Sequence, residues 1–418
     1  MPRTFHLLLI VQFISTIADN AFLIVAIARV IELSSAGWVT PMLKIGFTVF
    51  YVLLAPFVGP LADAVPKGRV MLLANAMKVG AVSLMLIGAD PVIALLIGGM
   101  GAAIYAPAKY GLMTELLPPN DLVRANGYFE STTVCAVILG TAVGGFLIGP
   151  VMPRLDLPGV STPFTSTPTQ LAAAMVCLVG LNTLALAFNI GVSDSGERYP
   201  AHTFHPMRVI QRFFQENSLL WKDPLGGISM SVTTLLWGVG ACLQLIVLRW
   251  ANEALGLTLT QAAYLQGVTA FGAIAGAILA SRFVALHQAI NILPLGIAIG
   301  MLFPILLAVE SVFVAILLLI VLGALAGFFI VPMNALLQHR GCSLLTAGRS
   351  IAVQGFNENA GMLVMLAMYA AATAANWPLP TLIWSFAGLV TLTMAFLVLG
   401  RHRLATTACS STPVVQEP

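Results

Sequence analysis

Apolar runs of about 20 residues recur from one end of the chain to the other, each long enough to cross roughly 30 Å of hydrocarbon as a helix. Their centres fall near residues 18, 50, 79, 104, 137, 180, 238, 272, 298, 324, 362 and 389, which predicts about twelve transmembrane helices. The widest polar interval is 193–223, where Arg198, His202, His205, Arg208, Arg212 and Lys222 separate six runs from six. It reads as a linker with a short amphipathic helix. The expected organisation is an all-α integral membrane protein. An N-terminal six-helix bundle spans 1–192, a cytoplasmic linker 193–223, a C-terminal bundle 224–403 and a disordered cytoplasmic tail 404–418.

Composition agrees with the pattern. Of the 418 residues, 59% are hydrophobic and 8% charged, whereas soluble domains carry about 25% charged residues. A water-exposed globule cannot be covered with so little polar surface. Arg3, the run Leu7–Ala18 and Ala26-Ile27-Ala28 together imitate a signal peptide, but Asp19 and Asn20 interrupt the run and no soluble domain follows. The segment therefore reads as the first span. Cys135, Cys177, Cys242, Cys342 and Cys409 show no C-x-x-C spacing, so neither a disulfide framework nor a zinc site is expected.

Cations set the orientation. With the N-terminus in the cytoplasm, 13 of the 19 Lys and Arg fall on inner loops and tails, from Arg3, Lys67 and Arg69 to Arg340, Arg349, Arg401 and Arg403. Only Arg154 is secure in an outer loop. The bias predicts both termini inside. Five prolines in 150–168 predict a stiff outer connection.

The halves echo each other. Asn126-Gly127-Tyr128-Phe129-Glu130 matches Gln354-Gly355-Phe356-Asn357-Glu358, and Ala106-Pro107-Ala108-Lys109 matches Val331-Pro332-Met333-Asn334. Gly59-Pro60-Leu61-Ala62-Asp63 pairs more weakly with Gly276-Ala277-Ile278-Leu279-Ala280. Their common order and nearly constant offset argue for a duplicated six-helix unit with a cavity between its copies.

Ionisable groups inside spans are the sharpest chemical signal, since each costs roughly 2.5–3.5 kcal/mol at a helix centre. Asp19 lies mid-span beside Asn20, too short to reach the interface, and is expected to line a polar cavity. Lys109 follows Pro107, which frees a backbone carbonyl. Glu130 and Glu358 occupy equivalent helices. Lys44 and Lys78 are read as snorkelling to the interface. The histidines all fall in loops or tails, so no proton relay is expected. Gly140-x-x-x-Gly144 and Gly145-x-x-x-Gly149 read as close-packing motifs.

The loop Gly59-Pro60-Leu61-Ala62-Asp63 through Lys67-Gly68-Arg69 is similar to the cytoplasmic signature loop of the major facilitator superfamily, with about two extra residues before its second glycine. There Gly59 would allow close helix approach, Asp63 would cap or ion-pair, and Lys67 and Arg69 would anchor the inner face; these four are the candidate gating residues. Further stretches are Ala18-Asp19-Asn20-Ala21, Pro107-Ala108-Lys109-Tyr110-Gly111, Ala125-Asn126-Gly127 with Glu130, Pro332-Met333-Asn334-Ala335-Leu336-Leu337-Gln338, and Ala352-Val353-Gln354 with Glu358-Asn359. With them the chain resembles, over almost its whole length, the bacterial lysophospholipid transporters of that superfamily.

The resemblance implies a major facilitator fold and movement of lysophosphatidylethanolamine, together with lysophosphatidylglycerol, from the outer to the inner leaflet of the inner membrane. It implies an acyltransferase–acyl carrier protein synthetase as the enzyme that then restores the second chain. Asp19, Asn20 and Lys109 would handle the head group. The candidate substrate-binding set is completed by Glu130, Gln244, Asn334, Gln354 and Glu358; no catalytic residue, metal, cofactor or nucleic acid is expected. In one place the chain departs from the pattern: an arginine is implied in the seventh span where Gln244 stands. Arg249 is five residues on, about 140° around the helix from that face.

Two rival readings remain. A proton-coupled drug or small-solute exporter of the same superfamily would show a Gly-Pro motif within its fifth span, which Gly145-x-x-x-Gly149-Pro150 matches only in part. A membrane-embedded acyltransferase would carry a His-x-x-x-x-Asp pair; none of the six histidines has an Asp four or five residues later, and no Walker-type loop is present.

Overall fold

Arg3–Glu32 forms a 30-residue helix, α1, that buries Phe5, Leu8, Val11, Gln12, Ser15, Ala18, Phe22, Val25 and Arg29. That spacing of three and four residues keeps one face against protein and leaves the other for lipid. The computed structural model that shows this describes residues 1–33, 48–149, 169–197, 199 and 205–410. Among them every regular element is helical. After a helical stretch at 48–53 come α2 (Ala55–Ala64), α3 (Lys67–Leu86), α4 (Pro91–Leu116), α5 (Leu122–Leu147), α6 (Thr169–Ile190) and α7 (Pro206–Lys222). The chain continues with α8 (Pro224–Leu255), α9 (Leu259–Phe283), α10 (Pro294–Leu302), α11 (Val312–Leu344), α12 (Ala347–Ala374) and α13 (Leu379–Ser410).

Local chemistry sets several helix starts. Asp90 accepts the Val92 backbone N–H at 2.7 Å ahead of Pro91, and Asp223 accepts that of Gly226 at 2.7 Å ahead of Pro224. Thr258 and Gln261 form a reciprocal capping box at the start of α9. Gly256 closes α8 with a left-handed φ of 63°.

Among the described residues nine helices are long and apolar enough to cross a bilayer, and Leu286–Ile292 with Pro294–Ala308, bent by 44°, makes a tenth when the pair is taken as one span. These account for ten of the twelve expected centres. The eleventh, near 50, coincides with α2 and the helical residues before it, while 34–47 lie outside the described residues. The twelfth, near 362, is α12, 28 residues long and not among those nine. The chain is a multi-pass membrane protein. The proline-rich segment 150–168, Lys44, Arg154, Arg198, His202 and the last residues 411–418 also lie outside the described residues, whereas α13 runs on through 404–410.

Two units emerge: Met1–Leu219 with Gln338–Ala360, and Leu220–Leu337 with Gly361–Pro418. In the first, α1 packs on α5 and α6, and α3 on α4 and α6, around Phe22, Val25, Met85, Leu95, Met175 and Leu178. Gly140 and Gly144 let α5 approach α1: a Cβ at Gly140 would sit 2.6 Å from the Ile17 carbonyl oxygen, and one at Gly144 3.0 Å from Ala21 Cα. The second unit has its own core around Trp250, Phe303, Phe329 and Met394, in which the Trp250 indole donates to the Leu306 carbonyl at 2.9 Å.

Candidate substrate site and latch

Two polar clusters lie within the first unit. In one, α1, α3 and α5 bring Asp19, Lys78 and Glu130 within electrostatic reach of Lys109 on α4. Asp19 Oδ2 is 2.6 Å from Lys78 Nζ, which also donates to Ser15 Oγ at 2.9 Å. Lys78 is 3% exposed and holds a buried ion pair, so it does not snorkel as its length suggested; Asp19, two helices away, supplies the counter-charge a buried ammonium needs.

Lys109 is 8% exposed and forms no hydrogen bond or ion pair with any described residue. Its ammonium lies 4.2 Å from the Tyr110 ring centre, 5.6 Å from Phe129 and 5.8 Å from Tyr105. Three aromatic rings steady such a cation without neutralising it. Glu130, half-buried on α5, likewise has no hydrogen bond or ion pair among the described residues. The pair offers one unspent positive and one unspent negative charge.

The other expected residues are dispersed. Asn20 turns back on its own helix, donating to the Thr16 carbonyl at 2.9 Å. Gln354 donates to Glu358 at 2.8 Å, both on α12. Asn334 is buried in the second unit. Gln244 is exposed on α8, where its backbone carbonyl accepts from Gln266 at 2.7 Å. Arg249 is engaged with Glu253 at 2.6 Å and with the Trp377 carbonyl at 3.4 Å. It does not take the place of the cation missing at Gln244.

The second cluster is built around Asp63, at the end of α2. Its carboxylate accepts the Gly348 backbone N–H at 2.9 Å and the Thr346 hydroxyl, so it caps the N-terminus of α12 where the helix dipole favours negative charge. Lys67 lies 3.6 Å from Asp63 and 2.6 Å from Glu115. Arg349 approaches Asp63 at 4.0 Å and pairs with Glu216 of α7 at 2.9 Å. Ser195 and Tyr199 donate to Glu115 at 2.6 and 2.8 Å, and burial together with that bond holds the Tyr199 phenol above its ordinary value. Gly59 permits this assembly, because a Cβ there would sit 2.9 Å from Arg349 Cα and 3.0 Å from Ala352 Cβ. Arg69 is not part of it: it is exposed and pairs with no described residue. Nearby, Asn126 and Gln338 exchange amide hydrogen bonds at 2.7 and 3.1 Å.

Sequence reading missed Lys78, Glu115, Glu216 and Arg349 as members of these clusters. The signal available for Lys78, Glu115 and Arg349 was charge in or at the edge of an apolar run; Glu216, within the polar interval 193–223, carried none.

The profile of the Major Facilitator Superfamily matches residues 8–353. The lysophospholipid transporter LplT of Pectobacterium carotovorum is 36% identical over 370 residues, 88% of this chain and 86% of that one. Its counterpart from Serratia proteamaculans is 34% identical over 373 residues, 89% of each chain. The chain belongs to the lysophospholipid transporter family of the Major Facilitator Superfamily. Its fold is that of the human organic anion transporter MFSD10, whose crystal structure superposes with a TM-score of 0.71 at 14% identity, covering 95% of this chain and all of the other. Of the four loop residues expected to gate, Gly59, Asp63 and Lys67 lie in the Asp63 cluster and Arg69 does not, while Asp19 and Lys109 lie in the buried charge cluster.

Proposed function

We propose that this protein is a lysophospholipid flippase, a transporter with no enzymatic activity. It moves chiefly lysophosphatidylethanolamine from the outer to the inner leaflet of the bacterial inner membrane, where an acyltransferase–acyl carrier protein synthetase restores the second chain. The family relatives named as lysophospholipid transporters support the cargo class. The observation that carries the reading is Lys109: a buried ammonium with aromatic neighbours and, among the described residues, no ion pair or hydrogen bond. A phosphate would supply the missing charge through a charge-assisted hydrogen bond. Glu130, equally unspent, would meet the ethanolamine ammonium, so the two match a zwitterionic head group.

Transport runs by alternating access of the two six-helix halves, with both termini in the cytoplasm. The Asp63 cluster is the inner latch: Asp63, Lys67 and Gly59 hold the start of α12 closed, and the latch must release for the head group to leave. The test is reconstitution of the purified full chain into liposomes with fluorescent lysophosphatidylethanolamine in one leaflet. Faster leaflet exchange than in protein-free vesicles is expected. Drug efflux driven by a proton gradient, with no lipid exchange, is what the exporter alternative forecasts and would overturn the reading.

A further inference from the structure

Asp19 is the acidic residue the sequence marks most clearly for a ligand, yet its charge is already spent. Its carboxylate holds Lys78 at 2.6 Å, with Ser15 as a second acceptor for the ammonium at 2.9 Å. Ser15 in turn donates to Asn75 Oδ1 at 3.2 Å, which leaves Asn75 Nδ2 buried with no partner. The Tyr105 hydroxyl is also buried and unpartnered. The ring of Tyr105 carries both lysines, Lys78 Nζ at 5.0 Å and Lys109 Nζ at 5.8 Å from its centre. Two ammoniums, an amide N–H and a phenol O–H therefore share one buried neighbourhood, and among the described residues the only anion bound to any of them is Asp19. Buried donors without acceptors cost free energy until something accepts from them. The surplus is of donors, which suits an anionic ligand.

The partners are unequal. The Asp19 side chain is 20% exposed and that of Lys78 3%, so water can take over the carboxylate more readily than the ammonium. We propose that Lys78 is a second ligand for the phosphate of the transported lipid, and that Asp19 is a placeholder for that phosphate, holding Lys78 neutralised in the empty site and displaced when the head group arrives. The inference rests on the lysophospholipid reading and deepens it. Asp19 acts through Lys78 and makes no contact with the ethanolamine ammonium. Its role is to keep the empty site from trapping its ligand, since two uncompensated lysines would bind a phosphate tightly and release it slowly.

The test is a double-mutant cycle on the full chain in proteoliposomes, with KM and turnover measured for lysophosphatidylethanolamine and lysophosphatidylglycerol. Asp19→Asn, which keeps the shape and removes the charge, lowers KM on the order of tenfold for both lipids and slows turnover. Lys78→Met raises KM on the order of tenfold. The double variant matches Lys78→Met within about twofold, because the placeholder has nothing left to hold. A rise in KM for Asp19→Asn confined to the amine-bearing lipid would overturn the inference and make Asp19 an ammonium ligand. An Asp19→Asn effect that persists without Lys78 would overturn it as well. If Lys78→Met does not assemble, the sign of the Asp19→Asn change in KM decides alone. Failure of the underlying reading looks different: wild-type protein that moves neither lipid, or Lys109→Met that moves both normally.

Discussion

The Asp63 carboxylate accepts the backbone N–H of Gly348 at 2.9 Å, joining the end of α2 to the first turn of α12 across 285 residues of sequence. One carboxylate thus satisfies an orphan helix N–H, complements the helix dipole and anchors the lysine and arginine beside it. Asp63→Asn keeps the shape and removes the charge. Amide hydrogen exchange at Gly348 is expected to speed up by roughly tenfold, equivalent to about 1.4 kcal/mol of lost local stability. Unchanged exchange would mean that the carboxylate does not hold the helix start.

Gly59 and Gly145 make a matched pair of tests. A methyl at Gly59 collides with Arg349 and Ala352, whereas one at Gly145 meets nothing within 4 Å. Gly59→Ala is expected to cost about 1–3 kcal/mol through overpacking and to lower the apparent melting temperature in detergent. Gly145→Ala leaves it unchanged. Thermal unfolding of both variants, followed by intrinsic fluorescence, checks the contrast.

Lys67 and Glu115 form the tightest ion pair of the latch, 2.6 Å apart with both side chains 3% exposed. Removing one partner strands a buried charge, at a cost of about 3–5 kcal/mol. Lys67→Met and Glu115→Leu should each reduce thermal stability sharply, and the double variant should lose less than the two singles combined. Simple additivity would show that the pair is not coupled.

Glu130 offers a head-group test. Glu130→Gln should slow uptake of lysophosphatidylethanolamine several-fold while sparing lysophosphatidylglycerol, which has no ammonium for the carboxylate to meet. Competition between the two labelled lipids in proteoliposomes reads the ratio directly; equal losses would remove Glu130 from ammonium recognition.

Much of this architecture was legible because a membrane helix announces itself by length and apolarity alone. Even α12, which falls short of the length-and-apolarity test, shows as an apolar run near 362, and the echo of Asn126–Glu130 in Gln354–Glu358 ties it to α5. Asp19 and Lys109 stood out because charge inside an apolar run is costly. Their environments were not legible. Lys78 is long enough to snorkel, and only packing reveals that Asp19, 59 residues earlier, meets it. Glu115 and Arg349 sit near helix ends and Glu216 within the amphipathic α7, places where a solvated charge is the ordinary state; the ion pairs that bury them depend on chain crossings no local pattern encodes. Arg69 illustrates the reverse, since its place in the signature loop suggested an anchor and the fold leaves it exposed.

The most direct measurement of the central claim is the initial rate of lysophosphatidylethanolamine flipping by Lys109→Met in proteoliposomes, beside wild type and Lys222→Met, a variant of an exposed linker cation. Loss of this buried ammonium should cut the rate by at least about tenfold at equal protein incorporation, with Lys222→Met unchanged. A wild-type rate for Lys109→Met would contradict the account.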